Sequence, residues 1–557
     1  MVAEQAKELG YHWPPPPAPD SIEWSEASIG VSNVVTRTKS RAALKDKTLD
    51  KDPTHRDALI GRAQGYAAAQ ADSVGVHDVV IHGVRVRVIT NMPHLYDFWT
   101  ENWFAVDEWR QVTGKSASDD PAVTVYALGH VPEDIAAYYS REKSTIVFFN
   151  TSYYGQLKSW VLGAVGRVLA DELGVHSIHG AAVDASGKGI LFIAPTGTGK
   201  STASYGLMRL PGSAFHSDDW VYLRYALPLR DGTCVSLVSL RTPDGSLVRG
   251  YRVLPWLAAH GAPAGTTLDV LTLNNGRRTV AGDEIDVRAP LAAYAYISER
   301  RFYLRSNIVE SFPVALSALM QSKLENCPDV TPEFMDRRRP ILERGVRELD
   351  GRLHVSHAEL AHELARLMAF DNARAMLDIT RVFGEERVYG NPLRPLRLTS
   401  VFLLRRDADD DRVLRRLSEA QFIADLVVGR TPAGTMETAY NDYRAVDDGE
   451  ERAFIDGLLI EAGHGASPGA EERVLRGLFS SPQTPDSLRE EFSLFRQLYR
   501  SAACLEMNTI LRQDPSVPTT REAVELTLDL LAQVTDQMPK SIDLHLSDYR
   551  SYLRDSP

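Results

Sequence analysis

"ILFIAPTGTGKSTASYGLM", Ile190 to Met208, passes from an apolar run through a glycine-rich turn into a segment of helical pattern. A short apolar run bounded by turn residues reads as a buried strand, and the residues after it read as the start of a helix. Between them lies T-G-T-G-K-S, and each residue type answers a physical need. Glycines let backbone N–H groups turn toward a phosphate, a lysine brings a cation to the β and γ oxygens, and a serine hydroxyl can join a divalent ion. The phosphate contacts are expected from Pro195, Thr196, Gly197, Thr198, Gly199, Lys200, Ser201 and Thr202. Ala194 stands where the strict G-x-x-x-x-G-K-[ST] pattern has its first glycine. The expected ligand is ATP or another nucleoside triphosphate with Mg²⁺ or Mn²⁺.

Beyond this loop, "AFHSDDWVYL" places Asp218 and Asp219 seventeen residues after Ser201. Adjacent carboxylates beside a triphosphate suit two tasks, since one can hold the metal while the other takes a proton from an attacking hydroxyl. His179, in "SIHGAAVD", heads the strand before the loop. Alone, a histidine or an Asp-Asp pair is more often structural, and it is the neighbouring loop that turns the reading toward chemistry.

A chain of 557 residues with 44% hydrophobic and 24% charged residues is of globular composition and long enough for two or three subdomains. Its formal net charge of −12 disfavours a broad nucleic-acid surface. Cys234, Cys327 and Cys504 lie far apart, which supports neither a disulfide framework nor a cysteine zinc site. The sequence has no apolar run of membrane-spanning length, and "MVAEQAKELGYHWPPPPAPD" lacks the order of a signal peptide, so the expectation is a cytoplasmic protein without a membrane partner.

Residues 1–75 include Pro14 to Pro17 and a lysine-rich stretch of little periodicity, and are expected to be a flexible or loosely docked leader. An N-terminal α/β domain is expected over 76–175. There "HDVVIHGVRVRVITN" alternates as a strand pair and "PAVTVYALGH" and "STIVFFN" read as strands. The aromatic stripe "MPHLYDFWTENWFAVDEWRQV" reads as helical core. Leu157, Trp160, Val161, Val165, Val168, Leu169 and Leu173 share a helix face. A nucleotide-binding core is expected over 176–447, opening with a hairpin that turns near Gly187 and carrying strands at "CVSLVSL", "AAYAYIS", "RFYLRSN" and "RLTSVFLLRR". Residues 448–557 read as mostly helical.

The order of a histidine, a strand hairpin, a G-T-G-K-[ST] loop and an Asp-Asp pair resembles the superfamily of phosphoenolpyruvate carboxykinases and HPr serine kinase/phosphorylases. That resemblance implies an α/β fold with a mixed-sheet P-loop core. It covers about Asn150 to Glu437. "NTSYYGQLKSW" is similar to the carboxykinase Y-x-G-E-x-K-K segment, with Lys158 as the first lysine, while Gln156 and Ser159 depart from the pattern. "YISERRFYLRSN" resembles the strand–Glu–Gly–Gly segment, which places Glu299 near the metal and Arg305 at a lysine position, with Arg300 and Arg301 in place of the glycines. "DNARAMLD" is similar to the N-T-R segment and nominates Arg374 for the γ-phosphate. "VVGRTPAGTMET" resembles the segment lining the nucleotide, around Thr431 and Gly434.

The paired lysines and the N-terminal arginine segment with which carboxykinases hold oxaloacetate are not intact. Kinase chemistry needs only a triphosphate, a metal, a base and cations on the γ-phosphoryl group. The expectation is therefore an ATP-dependent kinase acting on a hydroxyl of a small molecule, a peptide or a protein serine. A divergent carboxykinase and a non-catalytic nucleotide sensor are the alternatives. In this expectation Asp218 is the base, Lys200, Arg374 and Arg305 neutralise the phosphoryl group, Ser201 and Asp219 hold Mg²⁺, and His179 sits by a second metal or the acceptor, with Lys158 beside them. HPr kinases are assemblies of identical chains, so the resemblance also implies a homo-oligomer.

Overall fold

The computed structural model describes residues 49–151, 154–195, 197–305, 376–427, 429–430, 436–437, 449–463 and 470–554. They form a mixed α/β structure around two open mixed sheets.

The first sheet contains β1 (Gly75–Ile81), β2 (Val84–Thr90), β3 (Phe104–Ala105), β4 (Val123–Leu128), β5 (Ala136–Ser140) and β6 (Thr145–Phe149) in the order β3-β1-β2-β4-β6-β5. β4 runs parallel to β2 and β6, and the other pairings are antiparallel. Period-two alternation divides its residues between two cores. Val86, Val88, Val125 and Ala127 face the Tyr154–Leu173 helix and the aromatic residues Phe98, Trp99 and Trp103. Tyr126, Leu128, Val147 and Phe149 face Leu59 and Ala63 of a helix at Pro53–Ala69. The aromatic stripe is thus core, as its spacing predicts, although it breaks into two helices at Pro93–Asn102 and Val106–Thr113.

Residues 1–48 of the expected flexible or loosely docked leader lie outside the described residues, and the later part of it holds the Pro53–Ala69 helix. Asp52 caps it by accepting from the N–H groups of Thr54 and His55 at 3.0 and 3.1 Å, Pro53 opens its first turn, and Leu59 and Ala63 are fully buried. Few apolar residues are needed to dock a helix when two of them fill a sheet face.

The second sheet is built from β7 (His176–Ile178), β8 (Gly180–Ala185), β9 (Lys188–Ile193), β10 (Ser213–Ser217), β11 (Val221–Pro228), β12 (Cys234–Arg241), β13 (Leu247–Arg249), β14 (Thr267–Thr272), β15 (Arg277–Ala281) and β16 (Ala292–Ile297). After a ribbon of β17 (Tyr303–Arg305) and β18 (Met376–Asp378) the chain returns as β19 (Leu396–Arg405) and β20 (Arg412–Arg416). A second ribbon, β21 (Gly429–Arg430) and β22 (Met436–Glu437), is followed by helices and then by β23 (Ala503–Asn508) and β24 (Asp543–His545). β9, β19 and β23 are parallel, so their carboxyl ends share one edge of the sheet.

β23 and β24 correct the division at 447/448. Within the stretch "EEFSLFRQLYRSAACLEMNTILR" the helix ends at Ser501, and Ala503–Asn508 forms a strand between β19 and β20. Helical spacing in Leu494, Phe495 and Leu498 gives way to a continuous buried run, and Cys504, Leu505 and Met507 lie in the same core as β9 and β19. The C-terminal region is helical around a strand that belongs to the central sheet. Among the described residues no helix is long and apolar enough to cross a membrane.

Candidate functional site

Antiparallel pairing gathers the candidate residues at one sheet edge. Gly180 at the start of β8 lies beside Ile193 at the end of β9, so His179 stands next to the glycine loop. β10 pairs antiparallel with β8 and delivers Asp218 and Asp219 to the same edge. Val221 of β11 lies opposite Ile297 of β16, which brings Glu299 there as well, and the Tyr154–Leu173 helix supplies Lys158.

In the loop, Gly197 and Gly199 have φ of 80° and 109°, a region that side chains rarely enter, and Gly199 is the N-cap of the Lys200–Gly206 helix. That helix also carries Ser201 and Thr202. Ala194 is buried at 2% exposure, so the departure from the usual first glycine accommodates its methyl group. Thr198 is fully buried: its hydroxyl donates to the Pro195 carbonyl at 2.9 Å, and its own carbonyl accepts from the Thr509 hydroxyl at 3.1 Å. Thr509 follows β23, and nothing in the sequence marked it, because its partner lies 311 residues earlier.

The Lys200 ammonium lies 2.9 Å from His179 Nε2 and 3.4 Å from Asp219 Oδ1. An ammonium is only a donor, and a ring nitrogen that meets it does so through its lone pair. His179 Nε2 is 3.8 Å from the same carboxylate oxygen, and the other Asp219 oxygen is 3.8 Å from Lys158 Nζ. Lys158 also pairs with Glu299 at 2.7 Å. Burial pushes the Glu299 carboxyl upward, Lys158 pulls it back, and Asn102 of the aromatic segment lies against it. Trp220 forms a wall, its ring 6.2 Å from that of His179 and its indole N–H donating to Ser177.

The two aspartates are separated by a tight turn. Trp220 N–H donates to the Asp218 carbonyl at 2.9 Å, and Asp219 between them has φ of 72°. This conformation is costly for a residue other than glycine and sends the two carboxylates different ways. Asp218, 5% exposed, accepts from the Ser201 hydroxyl at 3.2 Å, whereas Asp219 meets Lys200, Lys158 and His179. Ser201 is thus hydrogen-bonded to Asp218, whereas the expectation grouped it with Asp219 as a metal ligand.

Among the described residues no set of three or more His, Cys, Asp or Glu side chains forms a ready cage for a metal. A hydroxyl and a carboxylate such as the Ser201–Asp218 pair suit Mg²⁺, which takes one or two carboxylates together with phosphate oxygens and water. Arg305 lies in β17, opposite Met376 of β18. Thr196, Arg374, Thr431 and Gly434 lie outside the described residues. Arg406, immediately after β19, was not singled out by sequence; its Nε donates to Thr509 at 3.1 Å, and burial lowers its pKa.

No protein-family model and no curated protein matches the chain.

Proposed function

We propose that the protein is an ATP-dependent kinase of the carboxykinase/HPr-kinase-like type, transferring the γ-phosphoryl group to a hydroxyl of a small molecule, a peptide or a protein. The observation that carries this reading is the convergence of Lys200, His179, Asp219 and Lys158 at the carboxyl edge of the sheet, with Ser201 and Asp218 beside them. A glycine turn with a chance lysine would not collect two carboxylates, a second lysine and a histidine from separate elements.

In this reading the Gly197–Gly199 backbone cradles the phosphates, and Lys200 neutralises charge as the γ-phosphoryl group leaves. Ser201 and Asp218 are the residues that would hold Mg²⁺, which when bound screens the β and γ oxygens. Asp219 is then the base: the acceptor oxygen bonds to γ-phosphorus, the bond to the β-phosphate oxygen breaks, ADP departs, and the hydroxyl proton passes to Asp219. Lys158, held by Glu299, orients that carboxylate from its other side. This reading exchanges the roles first expected of the two aspartates, and the Ser201–Asp218 hydrogen bond supports the exchange.

The test is transfer from γ-labelled ATP, with Mg²⁺ or Mn²⁺, to a cell extract separated into small molecules, peptides and proteins, comparing wild type with Lys200→Ala. Label in one fraction with wild type alone supports the reading and names the acceptor class. Absence of label in all three, with ATP bound normally, overturns it in favour of a sensor or of oxaloacetate-dependent chemistry.

A further inference from the structure

At the opposite edge of the second sheet, where β19 and β23 begin, lies a cavity of about 670 Å³ that is open to solvent. Arg397 from β19, Arg416 from β20 and Arg500 from the Asp486–Ser501 helix converge on it, and its lining contains no acidic residue. In a chain of net charge −12, with 74 acidic and 62 basic residues, such a lining reverses the average character of the protein. None of the three arginines forms an ion pair with a carboxylate among the described residues.

The other polar groups sharpen the preference. The hydroxyls of Thr399, Tyr499 and Ser501 donate to the backbone carbonyls of Gly189, Leu417 and Gln497 at 3.2, 3.2 and 2.7 Å. Arg416 Nη1 donates to the Pro539 carbonyl at 2.8 Å, which fixes the orientation of its guanidinium. Leu398, Leu417, Ala502, Ala503 and Cys504 supply apolar wall. The result is a cavity lined by three arginines and a partly apolar wall, and the guanidinium is the side-chain group best suited to planar or tetrahedral oxyanions.

We propose that this cavity binds a small polyanion carrying two or more phosphate or carboxylate groups. It is distinct from the glycine loop. β19 aligns Leu398 with Gly189 and Leu403 with Ile193, so the two places are separated by about 15 Å of strand. The inference does not depend on the kinase reading.

Inorganic pyrophosphate and citrate serve as probes, measured by titration calorimetry at constant ionic strength. Pyrophosphate can also enter the glycine loop, so the titrations use Lys200→Ala protein. Saturable binding of either probe at one site is expected, weakened about tenfold or more by Arg416→Gln or by Arg500→Gln, the loss that follows removal of a charge-assisted hydrogen bond. The relative affinity of the two probes tells whether phosphate or carboxylate is preferred. Thermal melts without ligand, unchanged in the arginine variants, show that the fold is retained. A third variant, Arg397→Gln, replaces either one whose melt is altered. The proposal is overturned if neither probe binds saturably, or if binding is equal in wild-type and arginine-variant backgrounds.

Discussion

The Lys200 ammonium donates to Nε2 of His179 across 2.9 Å, joining the first residue of the loop helix to the residue that precedes β8. The contact holds the ammonium at the mouth of the loop. Lys200→Ala is expected to lower phosphoryl transfer at least about a thousandfold, the scale seen when a preorganised charge on the transition state is removed. Lys200→Arg is not expected to rescue it, because a planar guanidinium cannot replace a compact ammonium against the histidine ring. Single-turnover assays check both; full activity in either variant rejects the assignment.

The turn at Asp219 separates the two carboxylates, and mutation should separate their effects. Asp218→Asn is expected to weaken the Mg²⁺ dependence of ATP binding, because Ser201 loses its charged acceptor. Asp219→Asn should leave Mg²⁺-ATP affinity within about threefold and lower turnover about a hundredfold or more, as loss of a general base does. Nucleotide titrations at several Mg²⁺ concentrations, run beside turnover, give both numbers. The reverse pattern would restore the expectation from sequence order, with Asp218 as base.

Glu299 is only 3% exposed and depends on Lys158 at 2.7 Å for its charge. Lys158→Met leaves a carboxylate buried without its cation and is expected to cost about 3 kcal/mol of stability. Glu299→Gln on that background should recover most of the loss but not transfer, since Asp219 would still lack one of its lysines. Urea unfolding of wild type, both single variants and the double variant completes the cycle. Additive losses would mean that the two side chains do not act as a pair.

Legibility followed the range of the interactions. The loop, His179 and the aspartates were visible because one local sequence brings a strand, two glycines and a helix start into a fixed relation. Of the first sheet, β1, β2, β4 and β6 were visible, β2 most plainly because it buries alternate residues, whereas β3 and β5 carried no signal that was read. What escaped notice acts over long separations: Thr509 reaches Thr198 only because β23 runs beside β19, which runs beside β9. The helix at Pro53–Ala69 carried its signal in Asp52 and Pro53, but its composition is polar enough that packing, not amphipathicity, reveals it. The partner of Ser201 was hidden as well, because adjacent aspartates are indistinguishable until the backbone between them turns.

β23 makes the C-terminal region part of the central sheet, and truncation tests this directly. A chain ending at residue 447 would lose the strand between β19 and β20 and the buried residues Cys504, Leu505 and Met507. It is expected to be insoluble or to lack a cooperative unfolding transition. A soluble, cooperatively folding chain that binds ATP would show that residues 448–557 are dispensable. In the full chain, Thr509→Val should retain the fold and weaken ATP affinity by about fivefold, through loss of one hydrogen bond that holds the loop carbonyl.

Behind Trp220, Glu490 gives the protein a pH-dependent stability separate from the site. Its carboxyl is pushed up to about 7, from an ordinary value of 4.5, by burial and by Asp171, against the pull of Arg141 and Arg167. Arg252 approaches to 3.3 Å, but at 61% exposure its charge is screened by water. Raised in the folded state, this group binds its proton more tightly folded than unfolded. Its contribution is therefore complete below about pH 4.5 and is lost as pH rises through about 7. Glu490→Gln keeps a neutral side chain at every pH and should be more stable than wild type at pH 8 by about 2 kcal/mol, with the difference closing toward pH 5. Urea midpoints of the two proteins at pH 5, 6, 7 and 8 measure it. A difference that is constant with pH would mean that the Glu490 carboxyl titrates at its ordinary value.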